Sequence, residues 1–439
     1  MEMFKSNYYN LIYIQLPTKT MKELSLTKKF ESTAVNTFRL SDTPPIFVRG
    51  EGPWLFTEDN QKYLDLVCGS ATTNLGHNHP SQKFAISEAL KSGIFHTGTR
   101  LISPLRNELY SSLSHFLGLE DISIHLANSG SEAIETAIKL SRFLSGNERI
   151  IAFEGGYHGR TLGALSVTHS EKIRLPFIGK IGDFVSFSQY PRDNTEVDTC
   201  LEKCEQQISH CVKHDQPVAA ILVEPIQGVS GVWGPYPAFL EGLEEIAKKN
   251  KSLLIVDEIW SGMGRSGKNF SYQYSNISPD LIVIGKGLSA SLPLSAVIAK
   301  GDLLKRWGAG SHTSTFQGNP VACAAACATI REIKDADLVT HVKEIIEPCF
   351  LKFKQDLRNI TAVKDVRFVG AQCAITFDNS DLANQIQNDT MEKAKILTYG
   401  GGMNGECVMV LPPINISGKI LSTALTQLLE LISEMSNHN

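Results

Sequence analysis

The chain has no long basic block, and its formal net charge is −4. Nothing in that balance suggests a nucleic-acid binder. The N-terminal stretch Tyr8-Tyr9-Asn10-Leu11-Ile12-Tyr13-Ile14 is too short and too polar for a membrane span. No small-residue cleavage site follows it, so no secretory leader is expected, and Met21 is an alternative start. The nine cysteines are an odd number without framework spacing, which predicts free thiols and a reduced cytoplasmic setting. Cys200, Cys204 and Cys211, with His210 and His214, match no standard zinc spacing. The expectation there is a polar surface helix over residues 202–214 and no metal. Internal repeats and low-complexity tracts are also missing.

What remains is an ordinary globular composition, 42% hydrophobic and 20% charged over 439 residues. That length can bury a large core and suggests two or three lobes. Short apolar runs at 123–127, 150–153, 220–223, 253–256 and 281–284 alternate with helix-like stretches. Near-continuous hydrophobic strands of this kind belong to a mainly parallel sheet covered on both faces. Ala133, Ala137 and Leu140, beside Ile134 and Ile138, recur at helical spacing. The expected fold is α/β, with a large domain over residues 76–332. An N-terminal arm with small-lobe strands fills 1–75, and an α+β lobe fills 333–439.

Ligands of open parallel sheets sit beyond the carboxyl ends of the strands. Glu224, Asp257 and Lys286 each follow such a strand, so three ionisable groups distant in sequence are expected at one edge. Asn128-Ser129-Gly130-Ser131 lies between a strand and a helix, where backbone N–H groups and the helix dipole favour an anion. N-capping by Ser129 or Ser131 would explain the same residues. Gly155-Gly156-Tyr157-His158-Gly159-Arg160 is a loop whose glycines leave Tyr157 free to present a flat face. Gly262 to Lys268 fits G-x-x-x-x-G-K and contains G-x-G-x-x-G. Asn269 stands where a phosphate loop needs Ser or Thr, however, and no helical face follows. That segment is expected to be a plain loop.

With these residues in view, the chain resembles the class III (ω-type) aminotransferases of pyridoxal phosphate (PLP) fold type I, from about Pro45 to Ile416. The motifs carrying the resemblance begin with Gly76-His77-Asn78-His79-Pro80, Asn128-Ser129-Gly130-Ser131-Glu132-Ala133 and Tyr157-His158-Gly159-Arg160-Thr161. Glu224-Pro225-Ile226-Gln227-Gly228, Asp257-Glu258, Gly264-Arg265-Ser266-Gly267 and Gly285-Lys286-Gly287 follow in order. Ser314-Thr315-Phe316-Gln317-Gly318-Asn319-Pro320 and Pro412-Pro413 complete the series. The resemblance implies that Lys286 forms a Schiff base with PLP and that Asp257 pairs with the pyridine nitrogen. It further implies that Ser129, Gly130 and Ser131 hold the phosphate, with Tyr157 on one ring face and Ile259 on the other. Thr315 would reach the cofactor of a neighbouring subunit, which implies a homodimer. The implied activity moves an amino group from a primary amine or amino acid to a keto acid.

Two positions depart from the pattern. Met409 stands where glutamate-using members carry an arginine, and Val229 where they carry the glutamate that covers it. Loss of both is coherent, because removing the arginine alone would leave a buried unpaired carboxylate. Trp260 replaces a frequent glutamine, and Arg160 remains as a candidate carboxylate fork or a structural ion pair. These departures keep a racemase, epimerase or aminomutase of the same fold as the alternative. A PLP-dependent regulator would need a DNA-binding domain, for which the first forty residues are too few and insufficiently basic. Trp54, Cys68, Ser70 and Trp260 are the expected shapers of the substrate pocket.

Overall fold

The computed structural model describes residues 20–35, 37–178 and 184–436. The N-terminal stretch Tyr8 to Ile14 lies outside them. After a helix at Thr20–Phe30 come three strands: β1 (Phe47–Glu51), β2 (Trp54–Thr57) and β3 (Lys62–Asp65). The main sheet has seven: β4 (Ile122–Ala127), β5 (Arg149–Phe153), β6 (Val185–Ser188), β7 (Val218–Val223), β8 (Leu253–Asp257), β9 (Leu281–Ile284) and β10 (Ser295–Lys300). Their order is β4-β10-β9-β8-β7-β5-β6. Only β10 runs against the others, pairing antiparallel with both β4 and β9. Five apolar runs in the sequence mark β4, β5, β7, β8 and β9, and the structure adds β6 and β10. The edge strand β6 reads Val-Ser-Phe-Ser, half polar as an edge permits, and β10 interrupts the parallel order.

Alternate residues of each strand point to opposite faces. On one face Ile150, Ala152, Ala220, Leu222, Ile255 and Val283 pack against α3 (Gly130–Ser145). This helix buries Ala133, Ile134, Ala137, Ile138 and Leu140, as the helical spacing predicts. On the other face Ile151, Phe153, Ile221, Val223 and Val256 meet helices α4 (Val197–Lys213) and α5 (Pro237–Lys249). Each fully buried side chain of this size contributes about 1.5–3 kcal/mol. The α4 helix is amphipathic, with Cys200, Cys204 and Cys211 turned into the core. They are space-filling thiols, and no group of His, Cys, Asp and Glu among the described residues could hold a metal. Helices α1 (Pro80–Lys91), α2 (Pro104–Leu117) and α6 (Pro320–Asp335) pack together beside the sheet.

The C-terminal segment contributes β11 (Val363–Phe368), β12 (Cys373–Phe377), β13 (Ile396–Leu397), β14 (Tyr399–Gly401) and β15 (Cys407–Val410). Strands β11-β12-β15-β14 form one antiparallel sheet. Strand β13 instead pairs parallel with β3, so N- and C-terminal segments share a four-stranded sheet. The helices α7 (Ser380–Glu392) and α8 (Gly418–Ser436) close this side. The whole is the expected α/β architecture with a smaller α+β part built from both chain ends. Among the described residues no helix is long and apolar enough to cross a membrane. All nine cysteines are free.

Candidate active site

One sheet edge gathers the ionisable strand ends. Asp257 closes β8, Glu224 follows β7, and Lys286 lies just beyond β9. Lys286 holds a left-handed φ of 41°, a conformation that costs a non-glycine residue about 1–3 kcal/mol and concentrates at functional sites. Its Nζ sits 4.0 Å from the centroid of the Trp260 ring. Desolvation pulls the Lys286 pKa down to about 8, against the opposing pull of the Asp257 and Glu224 carboxylates. The result is an amine that is part neutral near physiological pH, as a nucleophile or base needs to be.

Asp257 is braced from two sides. His158 Nδ1 lies 2.7 Å from its Oδ2, and its Oδ1 accepts the Ile259 N–H at 3.0 Å. Both His158 and Asp257 are buried. The sequence reading gave His158 no role, although it stands in the quoted loop motif; only the fold brings it to β8. Glu224 holds loops in place. Its carboxylate accepts the Tyr157 N–H at 2.8 Å and the Gly228 N–H at 3.2 Å, and burial raises its pKa to about 7.

The segment expected to hold an anion lies at the start of α3. Ser129 is its N-cap, accepting the Glu132 N–H at 3.2 Å, while Ser131 Oγ accepts the Arg160 N–H at 3.2 Å. The capping foreseen for Ser129 is seen. Ser129 caps the helix, and the N–H groups of the first turn still have no intrahelical acceptor. Ile259 lies over Gly130 so closely that a Cβ there would come within 2.9 Å of its side chain. A side chain at 130 would force the Ile259 side chain to move. Ile259 also borders Gly285, beside Lys286.

Trp260 is buried and donates its indole N–H to Gln372 Oε1 at 2.9 Å. Tyr399 meets it edge-on at 5.6 Å, and Met409, Ala71, Ile226, Val232 and Leu411 join the same apolar cluster, with Val229 at its border. Tyr399, which the sequence reading passed over, sits on a short strand with little pattern of its own. Tyr157 is half-buried and Arg160 exposed, both close enough to Tyr399 to act on its phenol. Ser70 sits in a turn in which Cys68 to Ala71 all have left-handed φ. Cys68 is wholly buried beside Arg265, and burial pushes its thiol up to about 12. Trp54 makes its contacts inside the small sheet, opposite Leu64 and under the Lys62 ammonium at 3.6 Å. Thr315 is exposed, its carbonyl bonded to His96 Nε2 at 2.7 Å. Gly262 to Gly267 is a loop, as expected.

The model of the class III aminotransferases matches residues 39–432. The chain belongs to the class III aminotransferase family. It is 31% identical to an acetylornithine aminotransferase of Methanopyrus kandleri over 398 residues, covering 91% of this chain and 96% of that one. An acetylornithine aminotransferase of Corynebacterium efficiens is 33% identical over 401 residues, with 90% and 94% covered. Among solved structures, a Bacillus anthracis aminotransferase superposes with a TM-score of 0.88 at 23% identity, over 95% of this chain and 99% of that one. The ornithine aminotransferase of Toxoplasma gondii gives 0.85 at 24%, with 97% of each covered. These structures share the PLP fold type I. Members of the family are PLP-dependent transaminases, and this class III chain is an enzyme of that kind.

Proposed function

We propose that this aminotransferase works through Lys286, with Asp257 and His158 behind it and the start of α3 as its phosphate cradle. The observation that carries the reading is the depressed Lys286 amine placed at the same sheet edge as the braced Asp257 carboxylate. The surroundings fit PLP in charge, with an amine, a braced carboxylate and a helix N-terminus close together in the fold. Ile259 packs against Gly130 and borders Gly285, and the α3 N-terminus suits a phosphate.

When bound, PLP supplies an aldehyde that captures amino groups and a pyridinium that draws electrons from the substrate carbon. The residues do the rest. Asp257 holds a negative charge where the ring nitrogen needs it, and His158 fixes the orientation of that carboxylate. Lys286 Nζ, neutral once displaced, takes and returns protons at the substrate carbon. Trp260 and Ile259 exclude water from the place where this happens. Arg160 is the candidate group for a substrate carboxylate.

We also propose a homodimer in which Thr315 reaches the partner's cofactor. Its loop is tied to the cradle of its own subunit, with Asn128 Nδ2 donating to Ser314 Oγ at 2.7 Å. Around it Phe95, Leu101, Ile102 and Phe316 are all more than 60% exposed. A groove of about 780 Å³ runs beside them, lined by Phe84, Ile94, Ile102, Leu105 and Ala328. An apolar surface of that extent is what a subunit interface covers.

The test is Lys286→Ala in the PLP-loaded protein. The expected result is loss of turnover and of the absorbance of lysine-linked cofactor, with a folded dimer retained. An active variant contradicts the reading.

A further inference from the structure

We propose that His312 is a positioning residue for Thr315, and that its neutral imidazole latches the loop at 308–318 onto α3. This inference rests on the proposed dimer, in which Thr315 reaches the partner's cofactor.

The helix offers the loop a stripe of polar groups. Asn128, Glu132, Thr136 and Lys139 recur every third or fourth position, so they line one side of α3 and the turn before it. Residues 312–314 run along this stripe in the opposite direction. At one end Asn128 Nδ2 donates to Ser314 Oγ at 2.7 Å and to Glu132 Oε2 at 2.9 Å. At the other, His312 Nε2 lies 2.9 Å from Thr136 Oγ1, and its Nδ1 lies 2.9 Å from Lys139 Nζ. The His312 ring also stacks on Trp307, with centroids 5.3 Å apart and planes within 9°. Trp307 meets Phe143 of α3 and borders the core beneath the helix. Thr315 is the residue after Ser314, so both attachments bear on where it points. The support they use is the same helix whose first turn is read as the phosphate cradle.

The partners of His312 fix its protonation. A lysine ammonium can only donate, so Nδ1 carries no proton and accepts from Lys139. Nε2 then carries the proton and donates to Thr136 Oγ1, whose own hydroxyl donates to the Glu132 carbonyl at 2.8 Å. An imidazolium would turn a second N–H toward the ammonium, and the latch would open. Burial and then Lys139 hold the His312 pKa below its ordinary 6.5, against the pull of Glu132 and Glu135. On β4, His125 lies 5.3 Å from His312 between ring centroids, and burial and His312 bring its pKa down to about 4. A cleft of about 480 Å³ alongside also carries Tyr110, Glu120 and Lys305. The charged form of His312 is thus the one the closed loop disfavours. The latch is at full strength above pH 6.5 and weakens as pH falls below it.

The test uses the full-length protein with His312→Gln and His312→Phe. Gln keeps a donor and an acceptor without titrating, and Phe keeps a ring against Trp307 without either hydrogen bond. PLP dissociation constants are measured at pH 7.5 and pH 5.5 by equilibrium dialysis. Hydrogen-exchange protection of residues 311–317 is followed in the apo protein by mass spectrometry. Between the two pH values, affinity of the unmodified protein is expected to fall by roughly tenfold more than that of His312→Gln, a comparison that cancels the titration of PLP itself. At pH 7.5 His312→Phe is expected to lose roughly tenfold in both PLP affinity and loop protection, and His312→Gln to keep most of each. Unchanged loop protection in His312→Phe overturns the latch and leaves the dimer and Thr315 standing. A loosened loop with unchanged PLP affinity overturns the reading of Thr315, and this inference with it. Equal pH dependence in the unmodified protein and His312→Gln overturns the latch as well, whether or not the Phe variant folds.

Discussion

His158 Nδ1 and Asp257 Oδ2 lie 2.7 Å apart, and both side chains are almost fully removed from solvent. A buried carboxylate held this way keeps one orientation, which is what a partner for a ring nitrogen requires. Replacing His158 by Phe keeps the volume and removes the hydrogen bond. A bond to a charged group is worth about 1.5–3 kcal/mol, so kcat is expected to fall roughly 10- to 100-fold. His158→Gln, which can still donate, is expected to recover part of that loss. Asp257→Asn is expected to lower kcat further, with a smaller effect on cofactor retention. Steady-state rates with a cofactor titration check all three, and a near-normal Asp257→Asn rate would remove its electronic role.

The Lys286 amine carries a pH signature. Its pKa of about 8 lies below the ordinary lysine value of 10.5, because burial disfavours the charged form. The folded apoenzyme therefore releases this proton before the unfolded chain does. Its penalty is complete below pH 8 and vanishes as pH rises past 10.5, so this residue makes stability increase across that window. Lys286→Met removes the penalty, and the apo variant is expected to be more stable than the unmodified protein by about 1–3 kcal/mol at pH 7. The difference should shrink above pH 8, and urea midpoints at pH 7 and pH 9.5 measure it. A variant less stable at pH 7 would contradict the buried amine.

Arg265 stitches three distant segments together. It is fully buried, and its guanidinium reaches Asn74, Ala371 and Pro412. Arg265→Met leaves those acceptors without a donor, and a loss of about 3–5 kcal/mol is expected from several such groups. Urea unfolding of the apo protein checks this, and an unchanged midpoint would show that water replaces the guanidinium.

The exposed apolar face makes its own prediction. Ile102→Asp combined with Phe316→Ser is expected to give a monomer by analytical ultracentrifugation. In the proposed dimer this withdraws Thr315 from the neighbouring subunit, so cofactor affinity is expected to weaken roughly tenfold or more. A dimer of unchanged affinity would place the interface elsewhere.

Much of this was legible in the sequence, for physical reasons. Strands buried on both faces read as unbroken apolar runs, so β5, β7, β8 and β9 could be seen directly, and the residues at their ends followed. The helix at Gly130–Ser145 announced itself by periodicity, and Ser129 by its capping chemistry. Strand β10 was not apparent, because its Ser-Ala-Val-Ile-Ala-Lys run follows a loop with no clear stop signal. The bracing by His158 depends on a contact across 99 positions, which no local pattern encodes. Tyr399 lies in a three-residue strand whose place is set by pairing with β15. Met409 and Val229 were visible as departures, but the shared apolar cluster with Trp260 emerged only from packing.

The most direct test of the account is a single turnover of PLP-loaded enzyme with amines and amino acids, in the absence of any keto acid. The cofactor spectrum is followed, and recovered substrate is analysed for stereochemistry and rearrangement. The account predicts that the cofactor ends in its aminated form with one equivalent of carbonyl product, and that Lys286→Ala gives neither. Return of the lysine-linked cofactor with inverted or rearranged substrate would contradict it.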